Sequence, residues 1–186
     1  MKITIITSER WKKKLKKHIK AKFVTKVFEL KEGDILISFS FGKVIPIKKL
    51  KKFRHKYNFH GGPPQNPGRD PHHWAIYYKQ KYFGVTLHKM SKKVDDGKIL
   101  NFIRFKIKKD WTPQILRNYA EKKMLILFKK NINNIISGKI NSTNKNYKWK
   151  KYKKRKRSDI LKLIKSNPNL RKQKIFLKSF LIFFNF

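Results

Sequence analysis

Short apolar runs separated by lysine-rich stretches mark out the first hundred residues. Ile3-Thr4-Ile5-Ile6 predicts a strand, and Ser8 stands at the cap position of a helix. In that helix Trp11, Leu15 and Ile19 form an apolar stripe at i, i+4 and i+8. Residues 23–28 alternate like a second strand. Residues 34–39 are almost continuously apolar, the pattern of a strand buried on both faces of a parallel sheet. Residues 43–53 contain Pro46 and can be helical only after it. Residues 57–60, 85–89 and 99–107 predict later strands. Thr112 then caps a long helix with Pro113 in its first turn and Gly138 beyond its end; Leu116, Ala120, Met124, Leu127 and Ile135 make its buried stripe. Strands alternating with helices imply an α/β domain, and no internal repeat is present.

Polar residues of catalytic type stand out against this pattern at the end of the 57–60 strand. Asn58 and His60 are two residues apart, so on an extended segment they point to one face and can address one reacting atom together. The run Gly61-Gly62-Pro63-Pro64-Gln65-Asn66-Pro67-Gly68-Arg69 stops the strand and lays a stiff loop beside it. Gly84-Val85-Thr86-Leu87-His88 reads as another strand, and Val94-Asp95-Asp96-Gly97 follows in a turn-rich segment. Taken singly, Asn58 and Asp95 are ordinary turn formers and His60 an ordinary polar strand end. Together, an amide, an imidazole and a carboxylate around one pocket suit acyl transfer to an amine. Asn58 can donate an N–H to the carbonyl oxygen that becomes an oxyanion. His60 can stabilise the same oxygen when protonated or take the amine proton when neutral, and Asp95 can orient His60 or relay the proton through water.

Two motifs in order, Asn58-x-His60 and Asp95-x-Gly97, with Gly84-Val85-Thr86-Leu87-His88 between them, resemble the folate-dependent formyltransferases. The resemblance is clear from about residue 34 to 100 and fainter to about 160. Gly61-Gly62-Pro63-Pro64 with Pro67-Gly68-Arg69 looks most like the branch that formylates nucleotide-linked amino sugars. The resemblance implies a Rossmann-like α/β domain with a mostly parallel sheet. With only 57 residues before Asn58, that sheet is expected to be N-terminally shortened by at least one β-α unit. It implies Asn58, His60 and Asp95 as the catalytic set and N10-formyltetrahydrofolate as formyl donor. Phe41, Lys43, Val44, Ile45 and Val94 are implied as its contacts, with core packing the competing role for Phe41, Val44 and Ile45. Gly62, Pro63, Arg69 and Trp74 are implied on the side of the nucleotide-linked amino sugar, Arg69 either touching substrate or pinning its loop. His88 falls just behind the catalytic residues.

Composition adds a second theme. The chain carries 50 Lys+Arg against 10 Asp+Glu, a formal net charge of +40. Such a balance is the usual footprint of a nucleic-acid binder. Arg supplies only 8 of the 50, however, leaving 42 Lys spread from Lys2 to Lys178. An excess of Lys, Asn, Ile and Phe is also what an AT-rich genome writes at permissive surface positions. Either origin implies non-specific adhesion to nucleic acid at low salt. Methionyl-tRNA formylation and a non-catalytic nucleic-acid-binding homologue are therefore the alternatives to the sugar reading.

The absence of Cys excludes disulfides, thiolate catalysis and Cys-ligated metal. His55, His60, His72, His73 and His88 cluster in sequence, but His72-His73 would diverge on a helix and no acidic partner is spaced for ligation, so no metal is expected. Neither a signal peptide nor an apolar stretch near the roughly 20 residues that span a bilayer is visible; no membrane and a cytoplasmic location are the expectation. Residues 1–138 are expected to form the catalytic domain and 139–186 a short basic extension with an apolar tail, a possible homodimer contact. Within it, Tyr147, Trp149 and Tyr152 interleave with cations, a pattern that can stack bases or clamp phosphates. Residues from Ser158, through Leu161 and Ile164, predict a short helix.

Overall fold

The two most apolar strands lie in the middle of one six-stranded sheet. Ile3–Ile6 (β1) and Gly33–Phe39 (β3) pair in parallel, and β3 is buried continuously from Ile35 to Phe39. Lys22–Val24 (β2), Phe53–His60 (β4), Tyr82–Lys89 (β5) and Ile99–Lys106 (β6) complete the order β2-β1-β3-β4-β5-β6. The pairs from β2 to β4 are parallel, while β5 is antiparallel to both of its neighbours. Only β5 therefore runs against the rest, and the expectation of an α/β domain with a mostly parallel sheet holds. Three strands precede the Asn58 strand end, and the outermost of them, β2, is only three residues long. This computed structural model describes residues 1–142 and 147–150 and the separate positions 158, 159, 162 and 166. The expectations for Tyr152, Leu161, Ile164 and the apolar tail lie outside the described residues.

Strand alternation sorts the side chains into two unequal layers. Ile5, Ile35, Ile37, Phe39, Tyr57, Phe59, Phe83, Val85 and Leu87 share one cluster with residues of three helices. These are Glu9–Leu15 (α1), Pro71–Tyr77 (α3) and Pro113–Ile136 (α4). Phe39 lies at the centre, 4.9 Å from Trp11, 5.7 Å from Phe59 and 5.6 Å from Phe128 between ring centroids. The opposite face is thinner: Ile6, Val24, Leu36 and Phe53 pack with Leu30, Ile45 and with Leu50 of the one-turn helix Ile47–Leu50 (α2). On that face the carboxyl half of β4 and the facing part of β5 carry Asn58, His60, Thr86 and His88 in place of apolar residues.

The long helix matches its sequence signals. Thr112 Oγ1 accepts from the Ile115 N–H at 3.2 Å, Pro113 is the first helical residue, and Gly138 takes a left-handed φ of 71° past the end. All five residues of the anticipated stripe are buried, with Phe128 and Ile132 added to it. An ion pair of 2.7 Å from Arg10 to Glu121 ties α1 to α4.

Other expectations are revised. The strand expected over 23–28 ends at Val24, because the Glu29 carboxylate accepts from the Thr25 and Lys26 N–H groups at 2.9 and 2.7 Å and turns the chain into a 3-10 turn. The first helix stops at Leu15, so Ile19 reaches the core from outside it. Ser8 occupies the cap position, yet its hydroxyl makes no capping bond. Helix α3 was not anticipated, although Asp70-Pro71 is a helix-start signal with Pro at the first position.

Removing the ring of Phe128, which is fully buried between Phe39 and Phe59, leaves a cavity that a helix pinned along its length cannot close. Phe128→Ala is expected to lower the unfolding free energy by about 3–5 kcal/mol, seen as a lower urea midpoint at an unchanged slope.

Candidate active site

The polar positions on the thin face meet because of strand register. Asn58 of β4 is paired with His88 of β5, and His60 with Thr86. The same row continues through Ser38 of β3, which is paired with Asn58 on its other side. Thr86 holds the loop after β4 by donating its hydroxyl to the Gly62 carbonyl at 2.7 Å. A reciprocal amide pair, Asn66 with Gln80, fastens the same loop at 2.8 and 3.2 Å.

Asp95 enters this row from the β5–β6 connection. Its carboxylate bridges two imidazoles: Oδ2 stands 3.6 Å from His60 Nδ1, and Oδ1 stands 3.5 Å from His88 Nε2. The Gly68 N–H donates to Oδ2 at 2.8 Å. Burial alone pushes this carboxyl up, but His60, the hydrogen bond and charge of His88 and the Gly68 N–H outweigh it and hold Asp95 well below the usual carboxylate range. Asp95 has a left-handed φ of 45°, and Ser40 and Asp70, on two neighbouring loops, share that conformation. Non-glycine residues in this region are strained and gather at functional sites. Gly97 is required two residues later, since a Cβ there would come within 1.8 Å of the Lys89 carbonyl oxygen.

One hydrogen-bond partner fixes a proton position. His88 Nδ1 lies 2.8 Å from the Lys89 carbonyl, which can only accept, so Nδ1 carries a proton. His88 Nε2 in turn lies between two groups, 3.1 Å from the Asn58 amide nitrogen and 3.5 Å from Asp95 Oδ1. His60 Nε2 faces the Asn66 carbonyl at 3.3 Å while Nδ1 faces Asp95, so both of its nitrogens look at acceptors. The structure thus brings Asn58, His60 and Asp95 together and adds His88 to them. Sequence placed His88 only behind the set; the cross-strand pairing that puts it against Asn58 is not written in spacing.

The other anticipated residues are dispersed around this centre. Lys43 and Val44 are exposed on the loop after β3, Phe41 is half-buried, and Ile45 is packed into the thin core layer. Val94 is exposed beside Asp95. Gly62 and Pro63 are buried, and a Cβ at Gly62 would meet His60 Nε2 at 2.7 Å. Arg69 donates to the Gly42 carbonyl and so joins the loop after β4 to the loop after β3. Trp74 is buried and stacks on Tyr78 with ring centroids 6.1 Å apart. The expectation that no carboxylate stands near His72-His73 is not met: donor atoms of Asp70, His72 and His73 lie within 4.8 Å of one another, because Asp70 starts the helix the sequence did not announce. Each of the three takes part in a further interaction.

A depressed folded-state pKa means that ionised Asp95 contributes stability above the ordinary carboxylate range and loses it as pH falls. Asp95→Asn lacks that contribution at every pH. The stability gap between wild type and Asp95→Asn is expected to narrow as pH drops below about 4, followed by urea melts at stepped pH.

Known proteins share this architecture. A sugar N-formyltransferase from Shewanella sp. superposes with a TM-score of 0.74 at 17% identity, over 91% of this chain and 82% of that one. The N-formyltransferase from Helicobacter canadensis, solved with folinic acid and dTDP-3-aminofucose, superposes with a TM-score of 0.67 at 22% identity, over 86% and 72%. The bifunctional polymyxin resistance protein ArnA of Wigglesworthia glossinidia brevipalpis is 36% identical over 112 residues, which are 58% of this chain; the chain spans 17% of that relative. Among the described residues no helix is long and apolar enough to cross a membrane. Residues 2–129 match the family model described as Formyl transferase, and the chain belongs to that family.

Proposed function

We propose that this protein transfers a formyl group from N10-formyltetrahydrofolate to the amino group of a nucleotide-linked amino sugar. The observation that carries the reading is the convergence of the Asn58 amide, the His60 imidazole and the ionised Asp95 carboxylate on one face, at the carboxyl end of a parallel strand. Ligands of open α/β sheets bind at that edge. The folate would supply the formyl group. Two loops flanking the set could take the faces of a flat heterocycle: Val44 is 69% and Val94 44% exposed, and Gly42 has open space where a Cβ would stand.

The chain's own groups divide the work. The Asn58 amide nitrogen carries two N–H groups and lies 3.1 Å from His88 Nε2, and an N–H not used there can donate to the oxygen that gains charge during attack. His60 keeps Nδ1 toward Asp95, and its Nε2 can hold or release the amine proton once the substrate amine takes the place of the Asn66 carbonyl; Asp95 stabilises the imidazolium while remaining ionised. Three carboxylate contacts and a glycine with no room for a side chain keep this geometry in place before substrate arrives.

Incubation of the purified protein with N10-formyltetrahydrofolate and a panel of nucleotide-linked amino sugars, read by mass spectrometry, tests the reading. A formamido sugar nucleotide is the expected product; formylation of methionyl-tRNA alone would overturn the substrate class. Asn58→Ala and His60→Ala are each expected to lower turnover by about 10²- to 10³-fold, the usual cost of one removed oxyanion partner. Adhesion to duplex DNA, a product of the +40 charge, is expected to fall with salt at a log-log slope of about −0.9 per phosphate contacted, while sugar-nucleotide turnover declines far less.

A further inference from the structure

A short piece of chain beyond α4, residues 147–150, comes back to the polar face of β4 and β5. Three contacts seat it. The Tyr147 ring meets Phe102 of β6 edge to face at 5.1 Å. Phe102 itself lies across Gly84, where an added Cβ would come within 2.3 Å of the Phe102 ring. Trp149 Nε1–H donates to the Gly97 carbonyl at 2.7 Å, two residues past Asp95. The Lys150 N–H donates to the Pro64 carbonyl at 3.0 Å, in the loop that follows His60. Between these ties the Trp149 indole stands across both imidazoles, 5.9 Å from His60 and 4.9 Å from His88 between centroids, at interplanar angles of 68° and 81°.

We propose that Trp149 is a positioning residue of the reaction centre, clamping the Asp95 loop to the His60 loop and walling off the two imidazoles that the carboxylate bridges. The proposal rests on the reading of Asn58, His60 and Asp95 as the formyl-transfer set. Its physical case begins with the bridge itself. Carboxylate-to-imidazole separations of 3.5 and 3.6 Å are too long to lock by hydrogen bonding alone. Asp95 is also held in a strained backbone conformation, which persists only where the surroundings impose it. The Gly68 N–H restrains the carboxylate from one side. Trp149 restrains the loop from the other, by a hydrogen bond to its backbone and by ring contacts to both partners. A half-buried indole over the two rings also displaces water from them and lowers the local dielectric in which the bridge acts. The reacting unit therefore extends beyond residue 138, the boundary that the end of the long helix suggests.

The test uses the full chain with Trp149→Phe and Trp149→Ala. Phenylalanine keeps a ring over the imidazoles but loses the N–H to Gly97; alanine loses both. Trp149→Ala is expected to lower kcat by about 10- to 100-fold with KM for both substrates nearly unchanged, as loss of alignment does, and Trp149→Phe to recover part of that loss. A readout independent of turnover is the ring C–H resonances of His60 and His88 in proton–carbon NMR. Loss of the indole ring current should shift both, more in the alanine variant. Unchanged kcat in Trp149→Ala, or unmoved His60 and His88 resonances, would overturn the proposal. Should the alanine variant not fold, the phenylalanine variant carries both measurements. A wild-type protein without formyl transfer would count against the function reading, and the resonances alone would then decide the clamp.

Discussion

A carboxylate removed from water has to be surrounded by donors or give up its charge. Asp95 is 6% exposed and stays ionised, and much of the local architecture follows from that demand. The strand register of β4 and β5 brings one imidazole to each of its oxygens. The loop after β4, stiffened by prolines and fastened by Thr86 and the Asn66–Gln80 pair, delivers the Gly68 N–H. The connection from β5 must then approach its own strand so closely that only glycine fits at position 97. Removing any one of these leaves a buried charge short of a partner, which is more costly than losing one ordinary hydrogen bond.

The sheet makes room for this arrangement by being covered unequally. Helices α1, α3 and α4 bury one face in a continuous aromatic and aliphatic cluster. Among the described residues, the other face carries a one-turn helix and connecting segments over its first strands. Where that cover stops, the alternating positions of β4 and β5 change from apolar to polar. The thick layer supplies stability and the thin one supplies access, on two sides of the same strands.

Much of this was legible in the residues themselves. The apolar strands and the capped helix carry periodic, local signals, so β1, β3, α2 and α4 were foreseen closely. Asn58 and His60 were legible as a same-face pair because a strand repeats every two residues. What escaped depends on contacts between distant segments. The early end of β2 follows from the Glu29 side chain capturing two backbone N–H groups. The placement of His88 against Asn58 follows from antiparallel register. Trp149 could be seen as an aromatic among cations, but its seat beside His60 and His88 depends on where the chain returns after α4.

The scarcity of acidic residues has a consequence of its own. With only 10 Asp+Glu in 186 residues, several of those present have definite acceptor tasks. Asp34 takes the Lys2 N–H at 2.6 Å, Glu29 closes a turn, Glu121 joins two helices and Asp95 holds the imidazoles. Surface lysines can multiply at little structural cost because solvent screens them. A carboxylate that receives backbone N–H groups cannot be exchanged for a cation on the same terms, since a donor would then face a donor. Any further rise in basic charge would thus meet a limit set by geometry: the charge can climb only until the remaining acids are those whose oxygens already have fixed partners.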